Sequence, residues 1–243
     1  VGQWLNKGGS QWLDFAAAVA AAGGKLEFVY ITVGSNDASY GDLASRAAHL
    51  AKMRQLIANV RELTGQPTLP VLWSGSNNRR LLNPIQANRL RMAEADIGDD
   101  ANVYHVQTTD FPVSTADDVH LTPAGFTASV NRTGYVLGGA LVDGVSLRGP
   151  KIIKFEYAGD KGFVTVQHRN GADLVLAAST SGFVVTADGV AVAVTAVTRL
   201  SATRLQLTFA RALTGLVTIT YQAGAAPDTA SPVFDNGATA LPM

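Results

Sequence analysis

The chain changes its pattern once, at Arg148-Gly149-Pro150. Before that point, segments of helical spacing alternate with apolar runs. After it, every segment has the character of a strand. Alternating helix and strand argues for a parallel sheet covered by helices on both faces, whereas short strands separated by turn residues argue for a sandwich. The expected organisation is an α/β domain over residues 1–147 and an all-β sandwich over residues 148–243. Both are workable domain sizes.

The individual elements carry recognisable signals. Gln11 to Ala22 has helical spacing and stops at Gly23-Gly24, where glycine accepts the left-handed terminus. Leu26 to Val33 is a near-continuous apolar run rich in β-branched and aromatic residues, which predicts a strand buried on both faces. Asp42 to Thr64 places Leu43, Ala47, Leu50, Met53, Ile57 and Val60 on one stripe and ends at Gly65. Leu69 to Trp73 predicts a second buried strand, Pro84 to Ala95 a helix, and Val103 to Val106 a third strand. A last helix begins at Thr122-Pro123, with threonine suited to the N-cap and proline to the first helical position. Seven strand segments follow Ile152, broken by Gly159-Asp160, Asn170-Gly171 and Asp188-Gly189.

Composition removes several classes of function. Nineteen Lys and Arg balance nineteen Asp and Glu, so no whole-chain field gathers nucleic acid or an anionic membrane. The absence of cysteine excludes a disulfide framework, a thiolate nucleophile and a cysteine zinc site. The four histidines are scattered, so neither a metal nor a cofactor is implied. No run reaches the ~18 to 20 apolar residues of a membrane helix. The chain opens on Val1 and continues without the basic start or apolar core of a signal peptide, so the expectation is that a segment upstream has been removed.

Residues able to carry chemistry lie in the first domain. In open α/β sheets the crevice forms at the carboxyl ends of the strands. The strand ending at Val33 runs into Gly34-Ser35-Asn36-Asp37, and the strand ending at Val106 leads to Asp117-Asp118-Val119-His120. Asp and His three residues apart, just ahead of a helix, can set the carboxylate on one imidazole nitrogen and leave the other facing the crevice as a general base. Taken singly, each block also reads as turn or cap residues.

Jointly with Asn6-Lys7-Gly8-Gly9-Ser10-Gln11-Trp12, these blocks resemble the SGNH (GDSL-type) hydrolase family, in particular its carbohydrate and sialate O-acetylesterase branch. The resemblance implies a flavodoxin-like three-layer parallel sheet, N-terminally incomplete here, followed by the β-sandwich. It implies an oxyanion hole from the Asn36 side chain and the Gly9 N–H, with His120 as base and Asp117 as its orienter. The family's first block, which carries the nucleophilic serine, has no match among Val1 to Leu5. The serine is therefore expected upstream, on a missing N-terminal segment or a companion chain. Ser10 is the alternative nucleophile, and its other reading is the cap of the following helix.

Other polar residues have plainer readings. Ser74 and Ser76 either line the crevice or are loop residues, and Arg79-Arg80 either attract an anionic sugar or are solvated. His49, His105 and His168 are expected to be structural. The implied activity is a serine esterase removing O-acetyl groups from an acylated carbohydrate through an acyl-enzyme, with nucleic acid and membrane excluded as partners. The competing reading is a catalytically inactive glycan-binding or structural module on the same scaffold, as in a viral tail or cell-surface appendage. A secreted, periplasmic or virion-associated location is expected over a cytoplasmic one.

Overall fold

The computed structural model describes residues 1–33, 44–76, 83–116, 120–176, 181–222, 233–237, 241 and 243. Its first half runs α1 (Gly2–Leu5), α2 (Ser10–Ala21), β1 (Val29–Ile31), α3 (Arg46–Thr64), β2 (Val71–Ser74), α4 (Pro84–Ile97), β3 (Val103–Val106) and α5 (Pro123–Gly138). A π-helical turn, Gly139–Asp143, continues α5. The strands form a parallel sheet in the order β1-β2-β3, in register at Tyr30, Leu72 and Tyr104.

The period of two along each strand divides this sheet between two cores. Val29, Ile31, Val71, Trp73 and Val103 face Met53, Leu56, Ile57 and Val60 of α3 and Ala93 and Ile97 of α4. Leu72, Tyr104 and Val106 face Val136 of α5 and Ala140 beyond it. Helices thus cover both faces, as the alternating pattern predicts. Trp73 is completely buried, and each such side chain contributes about 1.5–3 kcal/mol.

Helix ends follow the expected chemistry with one exception. Gly23 and Gly24 have φ of 86° and 77°, and Gly65 has φ of 59°, so all three supply the left-handed conformation that stops a helix. The Thr122 hydroxyl accepts the Gly125 N–H, with Pro123 in the first turn. Ser10, however, is the first residue of α2 rather than its cap; Gly9 holds that position in extended backbone with φ −78°.

Strand β1 starts later than the apolar run. At Leu26 the Gln66 side chain takes the place of a neighbouring strand, accepting the Leu26 N–H and donating to the Leu26 carbonyl. Backbone pairing with β2 begins only at Val29.

The second half is antiparallel: β4 (Lys151–Ala158), β5 (Lys161–Gln167), β6 (Leu174–Val175), β7 (Phe183–Ala187), β8 (Val190–Val192), β9 (Val194–Ser201), β10 (Arg204–Phe209), β11 (Val217–Tyr221) and β12 (Phe234–Asp235). Sheets β4-β5-β10-β9, β11-β7-β8 and β12-β6 surround one core. Val164 and Val166 of β5 and Leu205, Leu207 and Phe209 of β10 alternate inward into it. Strands β8 and β12 are additions to the seven predicted segments; both are too short to show an alternation.

Arg148, at the change of pattern, ties the halves together. Its side chain is buried and donates to Asp99 and to the Ala95 carbonyl at the end of α4. Lys151 adds a second cation to Asp99, and Gln107 and Thr109 beyond β3 donate to Gln222 beyond β11. Among the described residues, no helix is long and apolar enough to cross a membrane.

Candidate active site at the carboxyl ends of the strands

The loop after β3 is held by a buried ion pair. Asp110 receives both terminal nitrogens of Arg132, from α5, at 2.6 and 2.8 Å, and both side chains are less than a tenth exposed. Arg132 also donates to the Gln107 carbonyl and lies 4.2 Å above the Phe111 ring. Sequence reasoning passed over this pair, because nothing local marks two residues that meet across 22 positions.

The chain then turns back on itself to present His120. Val113 bridges Leu121, the Ser114 N–H donates to the His120 carbonyl at 2.7 Å, and the Thr122 N–H donates to the Pro112 carbonyl at 3.0 Å. Gly125 lets this return lie directly on the first turn of α5. A Cβ there would sit 2.3 Å from the Pro112 oxygen, well inside contact distance. His120 is therefore carried, exposed, on a backbone fixed from both sides. Asp117, its expected orienter, lies outside the described residues.

The other expected oxyanion and binding groups divide similarly. Asn36, with the rest of Gly34-Ser35-Asn36-Asp37, lies outside the described residues, as do Arg79 and Arg80. Gly9 is described, and its N–H donates to the Asn6 carbonyl at 2.8 Å in a tight turn. The neighbouring Gly8 N–H donates to the Asn6 side chain. An oxyanion could reach the Gly9 hydrogen only by sharing it or by opening this turn.

Ser74 ends β2 and Ser76 lies in the loop after it, and both are buried. Between them, Gly75 donates to the Val106 carbonyl at 2.8 Å and brings the ends of β2 and β3 together; a Cβ would lie 2.9 Å from His105 Nε2. The Ser76 N–H donates to Glu94 Oε2 of α4 at 3.0 Å. Glu94 is 2% exposed, and burial pushes its carboxyl up to about 8, against the smaller opposing effects of the Ser76 hydrogen bond and the Arg91 charge. Sequence reasoning missed it, although a signal exists: Glu94 occupies an apolar-stripe position with Ala87, Leu90 and Ile97.

The remaining histidines have different surroundings. His49 is buried in α3, and His168 Nε2 lies 2.8 Å from the Ala202 carbonyl, which as an acceptor fixes an N–H there. His105 is half-buried with its Nε2 atom enclosed, and desolvation, then the Arg148 and Arg169 charges, drive it down to about 3.

No protein-family model matches the chain, and no curated protein matches it in sequence. A solved carbohydrate acetylesterase from Xanthomonas citri superposes over 89% of the chain with a TM-score of 0.70 at 15% identity. The chain has the fold of that esterase. It spans 48% of that protein's length. A protein from Arabidopsis thaliana superposes over 57% of the chain and 56% of its own length, with a TM-score of 0.44 at 20% identity.

Proposed function

We propose that this protein is a serine esterase of SGNH type that removes O-acetyl groups from a carbohydrate. The observation that carries the reading is the shared fold with a carbohydrate acetylesterase over 89% of the chain. The sequence adds Gly34-Ser35-Asn36-Asp37 and Asp117-x-x-His120, which come after β1 and after β3 in chain order. In this reading residues 1–147 form a flavodoxin-like catalytic domain and residues 148–243 a β-sandwich domain.

The chemistry follows from the residue types. His120, oriented by Asp117, takes the serine proton as the serine oxygen attacks the ester carbonyl. The oxyanion is met by the Asn36 amide and the Gly9 N–H, which leaves Asn6 to do so. The alcohol of the sugar departs with the proton from His120, and water, activated by the same imidazole, releases acetate from the acyl-serine.

The serine is proposed to lie on a strand upstream of Val1 or on a companion chain. β1 supports this, because among the described residues it is an edge strand. An apolar groove of about 190 Å³, lined by Trp4, Trp12, Phe15 and the length of β1, lies beside it. A further parallel strand there would cover apolar surface and pair the open backbone groups.

One observation favours the second reading, an inactive glycan-binding module: the Gly9 N–H is already given to Asn6. The deciding experiment is acetate release from O-acetylated glycans and p-nitrophenyl acetate by the product of the complete reading frame. Glycan binding without acetate release selects the inactive module.

A further inference from the structure

A cavity of about 360 Å³ lies between α4, the end of β3 and the β half, and His120 is not among its lining residues. We infer that it is a binding site for a small carboxylated sugar, a uronic acid residue, whose carboxylate is held by Arg169 and Lys151 and whose hydroxyls meet Glu94, His105 and Gln222. The volume falls within the range of ligand sites, and the position between two structural units is a common one for them.

The charges on its wall do not balance. Arg148, Lys151 and Arg169 all approach one carboxylate, Asp99. Asp99 is held below the usual carboxylate range by Arg148 and Lys151, against the opposing effect of its own burial. Asp235 also acts on Arg169, so of these three cations one positive charge remains uncompensated. Arg169 stands furthest from Asp99, at 3.9 Å, and among the described residues its one hydrogen bond is from Nε to the Gly149 carbonyl. Burial, then the Arg148 charge, lower its guanidinium to about 10, against the smaller opposing effects of Asp99 and Asp235. Elsewhere on the wall Arg46 is matched by Asp96. An added carboxylate would bring Arg169 the close, paired geometry that guanidinium favours and that Asp99, at 3.9 Å, does not give it.

The polar atoms on the same wall are the second, independent observation. Glu94 Oε1, His105 Nε2 and Gln222 Nε2 are buried without a hydrogen-bond partner among the described residues, and all three residues line the cavity. Leaving such an atom unpaired costs about 1–3 kcal/mol, so three on one wall call for a ligand with several hydroxyls. Each has the state needed. Glu94 is uncharged at neutral pH and can donate, His105 is neutral and can accept, and the Gln222 amide donates. Gln222 is held there at φ 48°, a left-handed conformation that costs a non-glycine residue about 1–3 kcal/mol.

This site makes no use of His120 or a serine, so its test is separate from that of the esterase reading. Isothermal titration calorimetry of the intact protein at constant ionic strength compares sodium glucuronate, glucose, sodium acetate and inorganic phosphate. Glucuronate is expected to bind at least tenfold more tightly than any of the other three. Arg169→Gln is expected to lose that tenfold preference over glucose, and Lys151→Gln, at a half-exposed position, to reduce it with the fold unchanged. Glucuronate binding no tighter than glucose, or phosphate binding at least as tightly as glucuronate, would overturn the assignment. So would full affinity in a folded Lys151→Gln, Arg169→Gln double variant.

Discussion

Glu94 and His105 together predict the shape of the stability curve against pH. Glu94 has its folded pKa raised from 4.5 to about 8, so its contribution is complete below 4.5 and is lost as pH rises toward 8. His105 has its folded pKa lowered from 6.5 to about 3, so its contribution is complete above 6.5 and is lost as pH falls toward 3. Each unit of pH changes stability by about 1.4 kcal/mol per proton. Between pH 4.5 and 6.5 the two slopes oppose and cancel. From pH 6.5 to 8 only Glu94 acts, and the protein should lose roughly 2 kcal/mol. Asp99, depressed from 3.8, contributes below this range.

The perturbation is Glu94→Gln, which keeps an acceptor for the Ser76 N–H and removes the ionisation. Urea denaturation at half-unit steps from pH 4.5 to 8 should show the variant gaining on the parent by about 1.4 kcal/mol per unit, near 5 kcal/mol in all. The variant's own curve should rise to pH 6.5 and then level. Parallel curves for parent and variant over this interval would refute the reasoning, because they would mean Glu94 ionises alike in the folded and unfolded chain.

Further expectations concern the His120 backbone and the proposed oxyanion hole. Asp110→Ala leaves Arg132 buried without its carboxylate and should cost about 3–5 kcal/mol in denaturant unfolding; a loss below 1 kcal/mol would mean water replaces Asp110. Gly125→Ala must push the Pro112 carbonyl away, so thermal melting should show a loss of about 1–3 kcal/mol together with reduced acetate release. Unchanged melting would show that the return is not packed as described. Asn36→Ala should reduce turnover by about a hundredfold or more with an unaltered melting profile; near-parental turnover would remove Asn36 from the mechanism.

What could be read in advance was local. Gly23, Gly24 and Gly65 announce helix ends because only their backbone freedom suits the left-handed turn, and Thr122-Pro123 announces a helix start by its hydroxyl and its missing N–H. The alternation in β5 and β10 shows directly which side faces the core. Features made by tertiary contact were less accessible. The shortening of the first strand depends on Gln66, forty positions from Leu26, and the Asp110–Arg132 pair joins a loop to a distant helix. Glu94 is intermediate: its stripe position was visible, but its uncharged state follows only from the burial that α4 acquires against the loop after β2. The blocks holding Asn36 and Asp117 remain readings of sequence, whereas the placement of His120 at the head of α5 is a matter of structure.

The measurement that bears most directly on the central claim is acetate release from an O-acetylated glycan by the product of the complete reading frame, set beside its His120→Ala variant. The account predicts acetate from the parent and a loss of about a thousandfold or more in the variant, with both proteins equally folded. An inert, folded parent, or a variant as active as the parent, would contradict it.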